Sequence, residues 1–450
     1  MGVEAPLLSV FDPPEEGEGS VDPLSLQATY ERLAERIYPF MTVRMSRIRF
    51  LTAVAVITRV CEGLEEEVAA DGISPAWLVA EWYIVEGLVR RREVLSKSGR
   101  LRIPGSQKVE RALRDGRRLG AAAYLKTPTV FGFTGIYKRL AVGLQMVTDE
   151  VGMDSGAVDL LTVWERSQQL PGFRDSTTGA GAEFREELRQ AVKGGLRKGY
   201  TDRPAGWRGF DLIAQHLDPG RAGKKEADWL YARLIDAAMP APQRDLEAPR
   251  MRGEILALLE KEGEAIVSRT RESRFFRRLL RNGGVSAELK ERLQAIDAYE
   301  RLVTPLEKAL RLMLFLSSER RCDAITVNEF AADRRAGKLA AMIAPAVRGL
   351  SETFAGSAWE PEVTPLIARY EEVGDAHTLF GTLLDHHEEA QRNKPPDGKR
   401  SWVDRPDDRR VAVRSAYATD IPPEPSDEYL RDYRTSTASH FLQDLRRLPS

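Results

Sequence analysis

Apolar residues recur at spacings of three and four along most of this 450-residue chain. Residues at such spacings lie on one face of an α-helix, whereas a half-buried strand alternates every second residue. The clearest alternating run, Val411 to Tyr417, is only long enough for a small hairpin. The sequence therefore predicts a mainly α-helical protein with a small β-hairpin near the C-terminus.

The chain is about three times the usual length of a single domain, so several domains are expected. The first 23 residues contain six acidic residues and no basic ones, a composition typical of a flexible tail. Pro240 and Pro242 lie between two helical halves and mark a predicted domain boundary. We therefore predict an acidic tail over 1–23 and two helical domains over 24–240 and 241–395. A terminal segment over 396–450 would contain a basic loop, a hairpin and a helix.

Cysteine content and hydropathy bear on the compartment. Cys61 and Cys322 are the only cysteines, and two distant thiols do not make a disulfide framework. The N-terminus lacks the basic start and the apolar core of a signal peptide. No apolar run approaches the roughly 18 residues that a membrane-spanning helix needs. We therefore expect a cytoplasmic protein that does not insert into a membrane. No motif indicates a cofactor.

Basic residues are concentrated between positions 90 and 139. This zone contains 14 Lys and Arg against three acidic residues, although the whole chain has a net charge of −1. Within 90–147 the pattern predicts a loop or short hairpin at 96–105 and a helix from Lys108 to Tyr124. Helices with basic flanks in this range are compatible with a winged-helix-like module, whose phosphate contacts would be salt-sensitive. A solvated basic face of a helical repeat is the alternative. The candidate nucleic-acid contacts here are Arg90, Arg91, Arg92, Arg111, Arg114, Arg117, Arg118, Lys126, Lys138 and Arg139.

A second basic patch lies on a predicted helix over 269–281, which ends before Asn282-Gly283-Gly284. Its arginines alternate with Phe275 and Phe276, and arginines beside aromatic residues bind nucleic acid through phosphate contacts and stacking. The same composition is common on a helix in a protein interface. The candidate contacts on this helix are Arg271, Arg274, Arg277 and Arg278.

Three of the five histidines lie between 377 and 387, where apolar spacing predicts one helix from Pro365 to Gln391. On a straight helix His377 and His387 would be roughly 15 Å apart, and adjacent His386 and His387 would point about 100° apart. No two of the three could therefore share a metal ion, and no metal site is predicted. Acid–base catalysis by His386 or His387, oriented by Asp385 or Glu389, is the remaining enzymatic hypothesis. The competing interpretation makes His387 a core or interface residue and His386 a solvated one.

Several short segments resemble a class of uncharacterised helical subunits encoded beside bacterial anti-phage and restriction genes. They are Tyr124 to Phe133 (YLKTPTVFGF), His387 to Lys394 (HEEAQRNK), and Trp402 with the later Tyr433-Arg434. The resemblance covers well under half of the chain and transfers no catalytic residue. It implies work within a multi-subunit bacterial defence complex and favours a DNA-related role.

The sequence thus predicts a non-catalytic subunit that contacts DNA or RNA, or acts as an adaptor, beside other protein subunits. A scaffold that binds only proteins is the first alternative, because the same arginines could meet acidic protein surfaces. A hydrolase that uses His386 and His387 is the second.

Overall fold

A computed structural model of the chain describes residues 22–97, 99–100, 102–236, 248–281 and 283–449. The predicted acidic tail falls almost entirely outside these residues, and so does the proline pair at 240 and 242. The described chain is mainly helical and has one small antiparallel sheet, which confirms the predicted fold class. None of its described helices is long and apolar enough to cross a membrane.

Two compact units make up the fold, and neither is a continuous stretch of sequence. The first contains residues 1–33 and 269–432, and the second contains residues 34–268 and 433–450. The boundary after residue 33 lies inside the first helix, α1 (Gln27–Ile37).

The second unit is built around one buried helix, α2 (Phe50–Cys61). All its residues except Arg59 are buried, because it packs against four other helices of this unit (α3, α6, α7 and α8). A helix that is apolar on nearly all sides belongs in a core. The described helices of this unit after α2 are α3 (Ala76–Arg90), α4 (Ser106–Arg114), α5 (Pro128–Phe131), α6 (Phe133–Gly143), α7 (Ser155–Ser167), α8 (Ala180–Lys198), α9 (Arg208–His216), α10 (Lys224–Ile235), α11 (Ala248–Glu262) and α18 (Thr435–Asp444).

The first unit is organised around a helix of 33 residues, α13 (Ala287–Glu319), which continues through Pro305. The side chain of Ser286 accepts a hydrogen bond from the backbone N–H of Leu289 and so caps its start. The other helices of this unit are α12 (Arg269–Arg281), α14 (Val327–Ala332), α15 (Arg334–Phe354), α16 (Glu360–Tyr370) and α17 (Ala376–Arg392).

The sheet of the first unit has the strand order β1-β3-β2 and is antiparallel. Its strands are β1 (Ile325–Thr326), β2 (Val403–Asp407) and β3 (Arg410–Val413). Strands β2 and β3 form the hairpin expected near the C-terminus, and β1 adds a third strand that sequence alternation did not reveal. In the register, Val411 faces Ile325 and Val413 faces Val403.

The winged-helix-like arrangement expected over 90–147 is not confirmed. The helix predicted from Lys108 to Tyr124 ends at Arg114, because Gly116 follows with a φ of 65° in the left-handed region. Of the two alternatives for 96–105, a loop or a short hairpin, the described residues agree with the loop, since they contain turns and no strand.

Candidate functional site

The arginines of α12 lie against carboxylates of their own unit. Arg277 bonds to Asp297 over 2.8 Å and to Asp427 over 2.5 Å. Its guanidinium also lies 5.4 Å from the centre of the Tyr429 ring. Arg274, although largely exposed, is 3.7 Å from Glu428. These ion pairs neutralise arginines in the middle of α12, the helix that was predicted to contact nucleic acid.

The remaining candidates on α12 are also engaged. Arg278 lies over the ring of Phe275, with 5.9 Å between its guanidinium carbon and the ring centre. Arg271 is exposed and has an interaction partner within the chain. The helix therefore works largely as an internal contact between 269–281 and the acidic residues 427–428.

Most of the basic residues between 90 and 139 are paired in the same way. Their partners are acidic residues or carbonyl oxygens of the second unit. Arg90 bonds to Glu86, Arg91 to Asp211, Arg92 to Glu110, Arg117 to Asp115, Arg139 to Glu35, and Arg118 to the carbonyl oxygen of Arg203. Lys126 is exposed and also has a partner within the chain.

Helix α4 is the exception. Lys108, Arg111 and Arg114 are exposed and follow one another at intervals of three, so they share one face of the helix. Val109 and Ala112 are buried on the other side. Among the residues that the structure describes, none forms an ion pair with any of these three cations. The α4 basic face, defined as Lys108, Arg111 and Arg114, is the strongest candidate surface for a polyanion.

Lys138 lies elsewhere, in the wall of a cavity of about 630 Å³ within the second unit. Arg139, Trp77 and Phe40 line the same cavity, and so do Asp149 and Glu150. Lys138 and Arg139 were predicted to belong to a nucleic-acid surface, and the aromatic and acidic residues beside them were not identified from the sequence. Trp77 and Phe40 precede the cations by about 60 and 100 positions, so no local spacing could have joined them.

The histidine segment contains two helices instead of one. The single helix predicted from Pro365 to Gln391 is wrong, because α16 ends at Tyr370 and α17 begins at Ala376. Gly374 precedes Asp375, whose side chain accepts a hydrogen bond from the backbone N–H of Thr378 and caps α17. This glycine and capping residue were readable in the sequence as a stop and a new start.

His387 is fully buried at the centre of this segment. Its Nδ1 atom lies 2.8 Å from the carbonyl oxygen of Pro23, and its Nε2 atom accepts from the backbone N–H of Trp402 over 3.0 Å. Burial lowers the pKa of His387 to about 4, so the imidazole is neutral near pH 7. Both ring nitrogens thus have hydrogen-bond partners within the fold.

His386 lines a cavity of about 220 Å³ in the first unit. Its Nδ1 atom is 2.8 Å from the hydroxyl of Tyr370, and burial lowers its pKa to about 4. His386 is therefore half-buried, where a solvated side chain was expected from the sequence. Two carboxylates line this cavity, and each forms an ion pair: Glu389 with Arg369, and Glu362 with Arg32.

Asp385, proposed to orient a catalytic histidine, is exposed and bonds to Arg405. It does not contact either histidine through any described hydrogen bond. A search of the described residues finds no group of three or more His, Cys, Asp or Glu side chains placed to hold a metal ion. In comparisons with known proteins, no family model, no curated protein and no solved structure matches this chain.

Proposed function

We propose that the chain is a non-catalytic subunit that contacts DNA or RNA through the α4 basic face. One observation carries this proposal: Lys108, Arg111 and Arg114 lie together on an exposed helix face and have no ion-pair partner among the described residues. The arginines of α12 and several of the basic residues between 90 and 139 are, by contrast, bonded to carboxylates of the chain. Free, adjacent cations are the groups that phosphate contact requires.

The physical advantage of this face is that no internal ion pair has to break before a phosphate binds. Arginine can meet two phosphate oxygens at once, and its delocalised charge is weakly hydrated. Each phosphate neutralised releases condensed counterions, so affinity should fall steeply with salt. The α4 basic face contacts the phosphate backbone of a nucleic acid and therefore gives little base specificity.

The arginine helix α12 is left out of the proposed contact surface. Arg277 is bound to Asp297 and Asp427, and Arg274 is near Glu428, so phosphate binding there would have to displace these carboxylates. Its predicted role in nucleic-acid binding is replaced by a structural one in our proposal.

Membership of a bacterial defence complex is a separate part of the proposal and rests only on the resemblance of the short segments described above. The same basic face would serve an adaptor that meets an acidic surface of another subunit. The hydrolase hypothesis has less support, because His387 uses both nitrogens in the fold and Asp385 bonds to Arg405.

The test is fluorescence anisotropy with a short labelled DNA duplex and the matching RNA duplex across a salt series. We expect binding to the natural chain that weakens with salt. The triple variant K108Q/R111Q/R114Q should reduce the slope of log K against log salt by about 0.9 for each phosphate that the variant no longer neutralises.

The matched control is R334Q/K338Q/R348Q, which removes three exposed cations from α15 and produces the same change in net charge. This control should bind like the natural chain. The proposal fails if the natural chain shows no salt-dependent binding, or if the two triple variants lose affinity equally. Loss of nucleic-acid binding together with a stable co-purifying protein would support the scaffold alternative.

A further inference from the structure

The cavity of about 630 Å³ in the second unit lies within the size range of small-molecule sites in proteins. One face of α6 forms a wall, since Thr134, Lys138 and Val142 are spaced by four residues and all line the cavity. Trp77 and Phe40 supply aromatic surface. The cavity thus combines a flat apolar lining with charged groups.

A tight turn presents two carboxylates to the same cavity. Val147 and Met153 pair as an antiparallel bridge, and the backbone N–H of Thr148 donates to the carbonyl oxygen of Gly152 over 3.0 Å. Asp149 and Glu150 lie at the tip of this turn and are exposed. Neither forms an ion pair with any residue that the structure describes.

The cavity therefore offers a ligand both positive and negative side chains. Arg139 is already bound to Glu35 over 3.0 Å, which leaves Lys138 as the cation without an ion-pair partner in the described part of the chain. A simple anion would be attracted by Lys138 and repelled by Asp149 and Glu150. A simple cation would experience the opposite. A ligand with one group of each sign satisfies both sides.

Two residues in the wall of this cavity have an unfavourable backbone conformation. Phe40 and Val151 both have a φ of 66°, a left-handed conformation that is rare for bulky and β-branched residues. Both line the cavity. Gly143 makes room for the first of them, because a Cβ atom at 143 would lie 2.4 Å from the Phe40 ring. Such conformations persist only where the surrounding structure holds them, and ligand sites are among the places where they occur.

We propose that this cavity binds a zwitterionic ligand with an aromatic side chain, of the class of aromatic α-amino acids and their dipeptides. Lys138 binds the carboxylate of the ligand, Asp149 and Glu150 bind its ammonium group, and Trp77 packs against its ring. This inference is independent of nucleic-acid binding, because it uses none of the residues of the α4 basic face.

Isothermal titration calorimetry on the full chain tests the proposal with four probes. L-tryptophan and the dipeptide glycyl-tryptophan have both charges, whereas tryptamine lacks the carboxylate and indole-3-propionate lacks the ammonium group. We expect one or both of the zwitterions to bind, and the single-charge analogues to bind roughly tenfold more weakly than the zwitterion that binds.

Two variants test which side chains bind the carboxylate and the ammonium group of the ligand. K138Q should remove the difference between the zwitterion and tryptamine, and the double variant D149N/E150Q should remove the difference between the zwitterion and indole-3-propionate. K338Q is the control, because it makes the same change at an exposed position of α15 outside the cavity. Circular dichroism checks that each variant is folded, and the turn variant replaces only exposed side chains.

The proposal is overturned if neither zwitterion binds the natural chain at millimolar concentration. It is also overturned if either single-charge analogue binds as tightly as the zwitterions, or if K138Q and D149N/E150Q weaken all probes equally.

Discussion

The Nε2 atom of His387 accepts a hydrogen bond from the backbone N–H of Trp402 over 3.0 Å. Because Nε2 accepts, the proton of the neutral ring is on Nδ1, which donates to the carbonyl oxygen of Pro23 over 2.8 Å. The same carbonyl oxygen accepts from the side-chain amide of Gln391 over 2.9 Å. One imidazole thus connects α17 to the segment before α1 and to the loop before β2.

Replacing His387 with Phe should lower the free energy of unfolding by about 2–4 kcal/mol. The buried N–H of Trp402 would lose its acceptor, whereas the carbonyl of Pro23 would keep the Gln391 amide. Denaturant unfolding followed by circular dichroism measures the change. The control is His377→Ala on the exposed face of the same helix, which should alter stability by less than about 0.5 kcal/mol. Equal effects of the two substitutions would contradict the role given to His387.

The contribution of His386 and His387 to stability should fall as pH drops from about 6.5 to about 4. Burial lowers the pKa values of His386 and His387 from 6.5 to about 4 in the folded chain. In this window the unfolded chain binds protons that the folded chain does not, so protonation favours unfolding. Each histidine contributes on the order of 3 kcal/mol across the full window.

Denaturant unfolding at a series of pH values across this window measures that decrease in stability. His386→Asn should make the pH dependence shallower, because an amide does not titrate there. A slope that is identical in His386→Asn and the natural chain would show that His386 does not titrate with unfolding.

Two glycines in helices should respond oppositely to substitution by alanine. A Cβ atom at Gly181 would lie 2.1 Å from the carbonyl oxygen of Leu170 and 2.5 Å from the backbone N of Phe173. Because these are backbone atoms, Gly181→Ala should destabilise the fold by about 1–3 kcal/mol or more. A Cβ atom at Gly349, inside α15, would meet no other part of the described chain within 4 Å, so Gly349→Ala should stabilise by up to about 1 kcal/mol. Thermal midpoints of the two variants that shift in the same direction would refute this expectation.

Local patterns predicted much of the helical structure. The helix over 269–281 has the predicted limits. Thr326 and Glu329 form the capping box that their spacing indicated. These features depend on residues within a few positions of one another, which a single sequence displays directly.

The candidate sites were less predictable, because their charges are set by distant partners. The charge count located the basic zone, but it could not distinguish Arg111 from Arg92. Arg111 is exposed and has no ion pair among the described residues, whereas Arg92 bonds to Glu110. The cavity lined by Trp77 and Lys138 has no counterpart in any local motif.

The sequence by itself determined the helical class, the caps and the separation of His377 from His387 along one helix, because helical periodicity involves only near neighbours. Only the tertiary structure decided which charges remain available. Arg277 meets Asp427, 150 residues away, and His387 meets Pro23, 364 residues away. Hydrogen bonds and ion pairs act over a few ångströms, so their partners are fixed only when remote segments pack together.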